Sequence, residues 1–185
     1  MKRFSLLLVL TILLSGCTSG DSQLKQATEL RTQLIEAQSC SFYATISADY
    51  DTHIYTFQVS CDVKDDTLRF RVNSPESISG ITGEFTSSGA ALTYDDVVLA
   101  FPVLAEGQLS PVSSLWVFWN SLKSGYLAGC GSNDNGFLLS IDDSYEEYPL
   151  HLDIQLDPQG IPVGAEIYWQ QQRVILLEIY NFTIA

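Results

Sequence analysis

Basic residues are scarce in this chain: nine lysines and arginines stand against 22 aspartates and glutamates in 185 residues. That balance repels polyanions, so nucleic acid and bare anionic lipid are poor partners. Histidine is scarcer still, with only His53 and His151. Neither has a sequence neighbour that completes a triad or a zinc site, so no catalytic residue, metal ligand or cofactor is assigned and the chain does not read as an enzyme. Also missing is any apolar run of the roughly 20 residues a membrane span needs. The greasiest stretch, Phe4 to Leu14, is too short for that.

What that stretch does have is the layout of an export signal: Lys2 and Arg3, then the apolar segment, then small residues before a cut. Its close, Leu14-Ser15-Gly16-Cys17, resembles the lipobox of bacterial lipoproteins. The resemblance implies that Cys17 receives a diacylglyceryl group and becomes the N-terminus once residues 1–16 are removed. Two or more acyl chains anchor stably, which would hold the rest at a cell membrane on its extracytoplasmic face. Residues 17–20 would then form the lipidated end and a short tether, and residues 21–185 a single domain of ordinary size. Lys2 and Arg3 leave with the leader, so seven basic residues face 22 acidic ones and the net charge falls near −15. The acidic residues are spread along the chain and read chiefly as a solvated surface.

Leu24, Ala27, Leu30, Leu34 and Ile35 recur at helical spacing from Asp21 to Gln38, with Asp21 or Ser22 as the N-cap. The period then drops to two. Phe42, Ala44, Ile46 and Ala48 alternate before the polar cluster Asp49-Tyr50-Asp51-Thr52, and Tyr55, Phe57, Val59 and Val63 after it, which predicts a hairpin. A four-residue loop pairs Ile46 with Tyr55, Ala44 with Phe57, Phe42 with Val59 and Cys40 with Cys61. Oxidation after export would make Cys40–Cys61 a disulfide, worth about 3 kcal/mol for a loop of roughly twenty residues; the other reading is two free, buried thiols. Cys130 is left over or partners one of them.

Short strands joined by turns continue to the C-terminus, about ten in all, in an order that favours an antiparallel meander. Gly131 to Gly136 faintly echoes an EF-hand loop, but it lacks the first aspartate and reads as an Asn135-Gly136 hairpin turn. One segment breaks the pattern. Ser110 as cap, Pro111 in the first turn, Lys123 in the last and Gly125 beyond it frame a helix over Pro111 to Ser124. Val112, Leu115, Trp116, Trp119 and Leu122 form its apolar stripe, and Val117 and Phe118 widen it, so the helix is buried against more than one surface.

This order of elements resembles the LolA/LolB-type lipoprotein-carrier fold. Ser77 to Gly83 and Leu99 to Gly125 more particularly resemble uncharacterised small lipoproteins of Gram-positive bacteria. The resemblance implies a mainly β, α+β domain: a curved antiparallel half-barrel whose concave apolar side is covered by the N-terminal helix and the greasy helix and can accept acyl chains. The fold so implied makes Phe42, Phe57, Phe70, Phe85, Trp116, Trp119 and Trp169, all on inward faces, the candidate lining for a lipid or other hydrophobic ligand. The alternative is a filled core, with the domain acting as an envelope module through protein contacts. Its candidate surface is Asp142, Asp143, Glu146 and Glu147 interleaved with Tyr145 and Tyr148.

Overall fold

The computed structural model describes residues 19–185 apart from 51–52, 102–103, 106–107 and 146–147. The leader and Cys17 lie outside the described residues. Helix α1 (Ser19–Glu36) comes first, then strands β1 (Ser39–Tyr50), β2 (His53–Lys64) and β3 (Thr67–Ser74). A 3-10 turn (Glu76–Ile78) leads to β4 (Thr82–Thr86), β5 (Gly89–Tyr94) and β6 (Val97–Phe101). A small ribbon of β7 (Leu104–Ala105) and β8 (Gln108–Leu109) precedes helix α2 (Ser113–Ser124). Strands β9 (Tyr126–Asn133), β10 (Gly136–Tyr145), β11 (Tyr148–Leu156), β12 (Pro162–Trp169) and β13 (Gln172–Ile184) complete the chain.

Eleven strands form one antiparallel sheet in the order β6-β5-β4-β3-β2-β1-β13-β12-β11-β10-β9. The two halves are meanders, joined where β1 pairs with β13, and the sheet is curved and open. The expected architecture is therefore the observed one, with eleven sheet strands in place of about ten.

Alternation assigns the faces. Cys40, Phe42, Ala44, Ile46 and Ala48 of β1 are buried on the concave side, as are Val59, Cys61 and Val63 of β2 and Leu68, Phe70 and Val72 of β3. Leu139, Ile141, Leu152, Ile154, Ala165, Ile167, Ile175 and Leu177 continue that side through the second half. Gly83 sits beside Phe70 on the same side, and a Cβ there would come within 2.6 Å of the Phe70 ring, so the ring lies in the space that the missing side chain leaves.

Helix α2 lies over this face. Leu115, Val117, Phe118, Trp119 and Leu122 are buried, along with Ser113, Ser114 and Ser121, which matches a helix packed on more than one side. Ser110 caps it from one turn outside: its hydroxyl accepts from the Ser113 amide at 3.2 Å. Helix α1 packs against α2 and β9 with Ala27, Leu30 and Leu34 buried. Leu24 and Ile35, expected on the same face, are exposed, because α1 rests at the rim and only a narrow stripe reaches the core.

The first hairpin differs from expectation in register. The strands run to Tyr50 and His53, which leaves two residues between them and pairs Ile46 with Phe57, Ala44 with Val59, Phe42 with Cys61 and Cys40 with Val63. Cys40 and Cys61 are consequently diagonal neighbours, a spacing of about 7–8 Å that exceeds what a disulfide spans. Both are free and buried, which corrects the expected Cys40–Cys61 bond; Cys130 is free as well. Burial, aided by Asp62, pushes the Cys40 thiol up to about 12 and holds the Cys61 thiol well above its ordinary range. With Cys17 replaced by serine, a thiol reagent should therefore titrate only Cys130 in native protein and three thiols after unfolding in denaturant; a single thiol after unfolding would mean a bridge.

Three hairpins turn through pairs of residues in the left-handed region: Asp65–Asp66, Asp95–Asp96 and Gln170–Gln171, with φ between 48° and 69°. Aspartate tolerates that region; glutamine gains nothing from it and costs about 1 kcal/mol per residue. Replacing Gln170–Gln171 by Asn-Gly should raise the unfolding midpoint by a few degrees in a thermal melt, while leaving the β12–β13 register intact.

Candidate functional site

The concave face is covered unevenly. Where α1 and α2 lie over it, aromatic rings pack on each other: Phe42 meets Phe118 edge-on at 5.9 Å and Phe182 at 5.6 Å, and Phe85 meets Phe70 at 5.7 Å, Phe101 at 5.5 Å and the face of Trp116 at 6.2 Å. Phe42, Phe70, Phe85 and Trp119 are all buried within this core. Lys123 holds its ammonium over the Trp119 ring at 5.6 Å and pairs with Asp66 at 2.7 Å.

Toward the turns β1–β2, β3–β4 and β5–β6 the cover ends. Register places Tyr55 and Phe57 of β2, Leu92 and Tyr94 of β5 and Val97 and Leu99 of β6 on the concave face, because they continue the rows of Val59, Ala90 and Phe101. Tyr55 is 48% exposed, Tyr94 55%, Val97 57% and Leu99 61%. Phe57 and Leu92 are half-buried, as are Ile78 and Ile81 in the β3–β4 connection. This is an apolar surface at one end of the half-barrel, continuous with the core. His53 stands at its margin, stacked on Tyr55 at 6.1 Å.

Of the seven aromatic residues expected to line a ligand site, the structure therefore brings Phe42, Phe70, Phe85 and Trp119 together as core, and leaves Phe57, Trp116 and Trp169 half-buried. Tyr55, Tyr94, Val97 and Leu99 are absent from that expected lining. Their signal lies in the alternation, which continues through them to the strand ends. Other clefts lie away from this surface. One of about 350 Å³ lies between the end of α1 and the β2–β3 turn and is lined by Leu34, Val63, Asp66, Trp119 and Lys123 among others.

The expected acidic and aromatic patch is not one surface. Asp142 points to the convex side, where its carboxylate meets His151 Nδ1 at 2.7 Å, while Asp143 accepts from buried Ser121 Oγ at 2.5 Å on the concave side. Consecutive strand residues face opposite ways, so the run is split; Glu146 and Glu147 lie outside the described residues. His151, which has no evident partner in the sequence, has two in space, since Asp153 lies 3.2 Å from Nε2. Burial works against its charge, but the Asp142 hydrogen bond and the two carboxylate charges outweigh it and raise its pKa. Ser140 donates to the same Asp153 at 2.7 Å, and beyond it Tyr168 donates to Glu166, which pairs with Arg173 at 2.9 Å. This polar network runs along one flank of the convex face.

Cys130 is half-buried in β9; burial raises its thiol pKa and the charge of Arg31 only partly offsets that, so it is a thiol at neutral pH. The Gly131 to Gly136 segment is the β9–β10 hairpin end; the turn falls on Asp134–Asn135, one residue earlier than the expected Asn135-Gly136, because Gly136 already pairs with Asn133, and at Gly136 (φ 136°) a Cβ would strike the Leu156 carbonyl.

An open curved antiparallel sheet of eleven strands, with two helices over its concave side, is the LolA/LolB-type fold. A LolA superfamily protein from Nitrosomonas europaea superposes with a TM-score of 0.52 at 11% identity over 91% of this chain and 94% of its own. An uncharacterized conserved protein from Thermus thermophilus gives 0.50 at 10% identity over 89% and 88%. No family profile matches the sequence, and no curated protein matches it. At such identities the likeness is one of fold.

Proposed function

We propose that this is a membrane-anchored extracytoplasmic lipoprotein that binds a lipid or another hydrophobic ligand on the open end of its half-barrel. The observation that carries the reading is the uncovered apolar surface of Tyr55, Tyr94, Val97 and Leu99, continuous with the buried aromatic core. Monomeric soluble domains seldom leave such a surface facing water without using it. Phe57, Trp116 and Trp169 are the half-buried aromatics a ligand would extend over, and the buried Phe42, Phe70, Phe85 and Trp119 form the floor. Covering roughly ten methylenes at about 0.8 kcal/mol each gives near 8 kcal/mol before entropic losses, in the range of micromolar binding.

The leader supports the rest of the proposal. Cleavage before Cys17 and lipidation of its thiol would tether the domain of residues 21–185 through the short segment 17–20, at the membrane face away from the cytoplasm. The second reading, an envelope module acting through protein contacts without a small ligand, is favoured by the mutual packing of the core aromatics.

Native mass spectrometry of the full chain, followed by titration with a fluorescent acyl probe, tests the two. Saturable uptake that falls about tenfold in Tyr94→Asp or Val97→Asp, at unchanged thermal stability, is the expected result. No adduct and no saturable uptake would leave the interaction module.

A further inference from the structure

The positions of the cations carry the ligand assignment one step further. After Arg3 the chain has seven lysines and arginines, and every one is placed by the structure. Lys25 is exposed on α1 beside Glu29. Arg31 is directed at the end of α2, and Lys123 at Asp66. Lys64 follows concave Val63 at the opposite end of β2 and therefore faces the convex side. Arg69 and Arg71 alternate with concave Phe70, so they too are convex, with Arg69 at 3.6 Å from Glu84. Arg173 pairs with Glu166 on the convex network.

Among the described residues, then, none of the seven cations serves the open concave end. Glu76 of the 3-10 turn and the Asp95–Asp96 turn stand at that same end instead. An acyl chain on this surface would bring its head toward two or more carboxylates with no cation to answer it, and a carboxylate or phosphate head would be repelled.

We infer that the open end of the half-barrel selects ligands whose head group is uncharged or cationic and rejects anionic amphiphiles. This rests on the ligand-binding reading above and specifies its head-group class. Alkyl chains, esters and alcohols meet the apolar face and the Tyr55 and Tyr94 rings without electrostatic cost. A quaternary ammonium gains from the same rings and from the acidic turn.

Three probes with one dansyl-labelled undecyl chain separate the cases: the carboxylic acid, its methyl ester and a trimethylammonium analogue. They are titrated into the full chain at pH 8, above the ordinary imidazole range, in about 20 mM salt. The ester and the cation should bind about tenfold tighter than the acid, and the gap should narrow in about 0.5 M salt as charges are screened. Asp95→Asn with Asp96→Asn keeps the left-handed turn, which asparagine tolerates, and should improve the acid about threefold while leaving the ester unchanged. Equal affinity of acid and ester, or a double variant that leaves the acid as weak as before, would overturn the head-group inference while the ligand-binding reading stands. Failure of all three probes to bind would overturn that reading, and this inference with it.

Discussion

Phe85→Ala should destabilise the domain by about 3–5 kcal/mol, seen as a midpoint lowered by roughly 8–16 °C in thermal unfolding. Phe85 is fully buried in β4 and touches three rings at once: Phe70, Phe101 and the face of Trp116. Removing it opens a cavity under α2 that Gly83, beside Phe70, cannot fill. The stiff neighbouring strands cannot collapse onto it either, so the loss should lie in the upper part of the usual range. Phe57→Ala, on the same face but half-buried, should cost about 1 kcal/mol. Ligand uptake should show the reverse order, with Phe57→Ala lowering affinity more than Phe85→Ala once each protein is measured below its own midpoint. If Phe57→Ala proves as destabilising as Phe85→Ala, the open end is a covered part of the core and the division between floor and lining fails.

That division shows where sequence reading stops. Parity is readable: alternation puts Phe42, Phe57, Phe70 and Phe85 on the inward face, and all four are there. Parity gives the face, but not which part of the face a helix covers. Cover depends on where α2 crosses the sheet, and that is settled by contacts between segments far apart in the chain, such as Phe42 with Phe118. The hairpin register fails for a related reason. Shifting β2 by one residue would turn its apolar side chains to water, which the pattern forbids; shifting it by two keeps every apolar residue inward. Hydrophobicity therefore cannot choose between pairing Cys40 with Cys61 and pairing it with Val63. The length of the connection chooses, and strands paired as far as Tyr50 and His53 give Val63. The greasy helix is legible because its signals are local: a serine and a proline just ahead of it, apolar residues on more than one side and a terminal glycine, although it starts at Ser113, two residues after the expected Pro111. The acidic run near Asp142 misleads because consecutive residues of a strand address different surroundings, and only the pairing with β11 shows which one faces His151.

Arg31 is invisible in the sequence as anything but a polar helix residue, yet its replacement by methionine should cost about 2–4 kcal/mol. The last carbonyls of a helix lack intrahelical partners and carry the negative end of its dipole. At the end of α2 the Arg31 guanidinium from α1 answers them: Nε donates to the Leu122 carbonyl at 3.0 Å and Nη2 to Gly125 at 2.7 Å, with a longer contact of 3.4 Å to the Ser121 carbonyl, which also accepts the Gly125 amide at 2.8 Å. One side chain thus caps one helix and ties it to another across about 90 residues of chain. Burial lowers the Arg31 pKa, but guanidinium stays protonated, so the contacts are charge-assisted. Methionine matches the length and keeps the packing, so the measured loss reports the Leu122 and Gly125 carbonyls deprived of the guanidinium. Lysine should recover only part of it, because a single ammonium cannot serve three acceptors spread over a turn. Lys25→Ala, which removes an exposed pair with Glu29 on the same helix, should change stability by less than about 0.5 kcal/mol. Urea unfolding of the four proteins checks the order. Equal midpoints for Arg31→Met and Lys25→Ala would mean that water caps α2 as well as Arg31 does, and that α1 is held only by Ala27, Leu30 and Leu34.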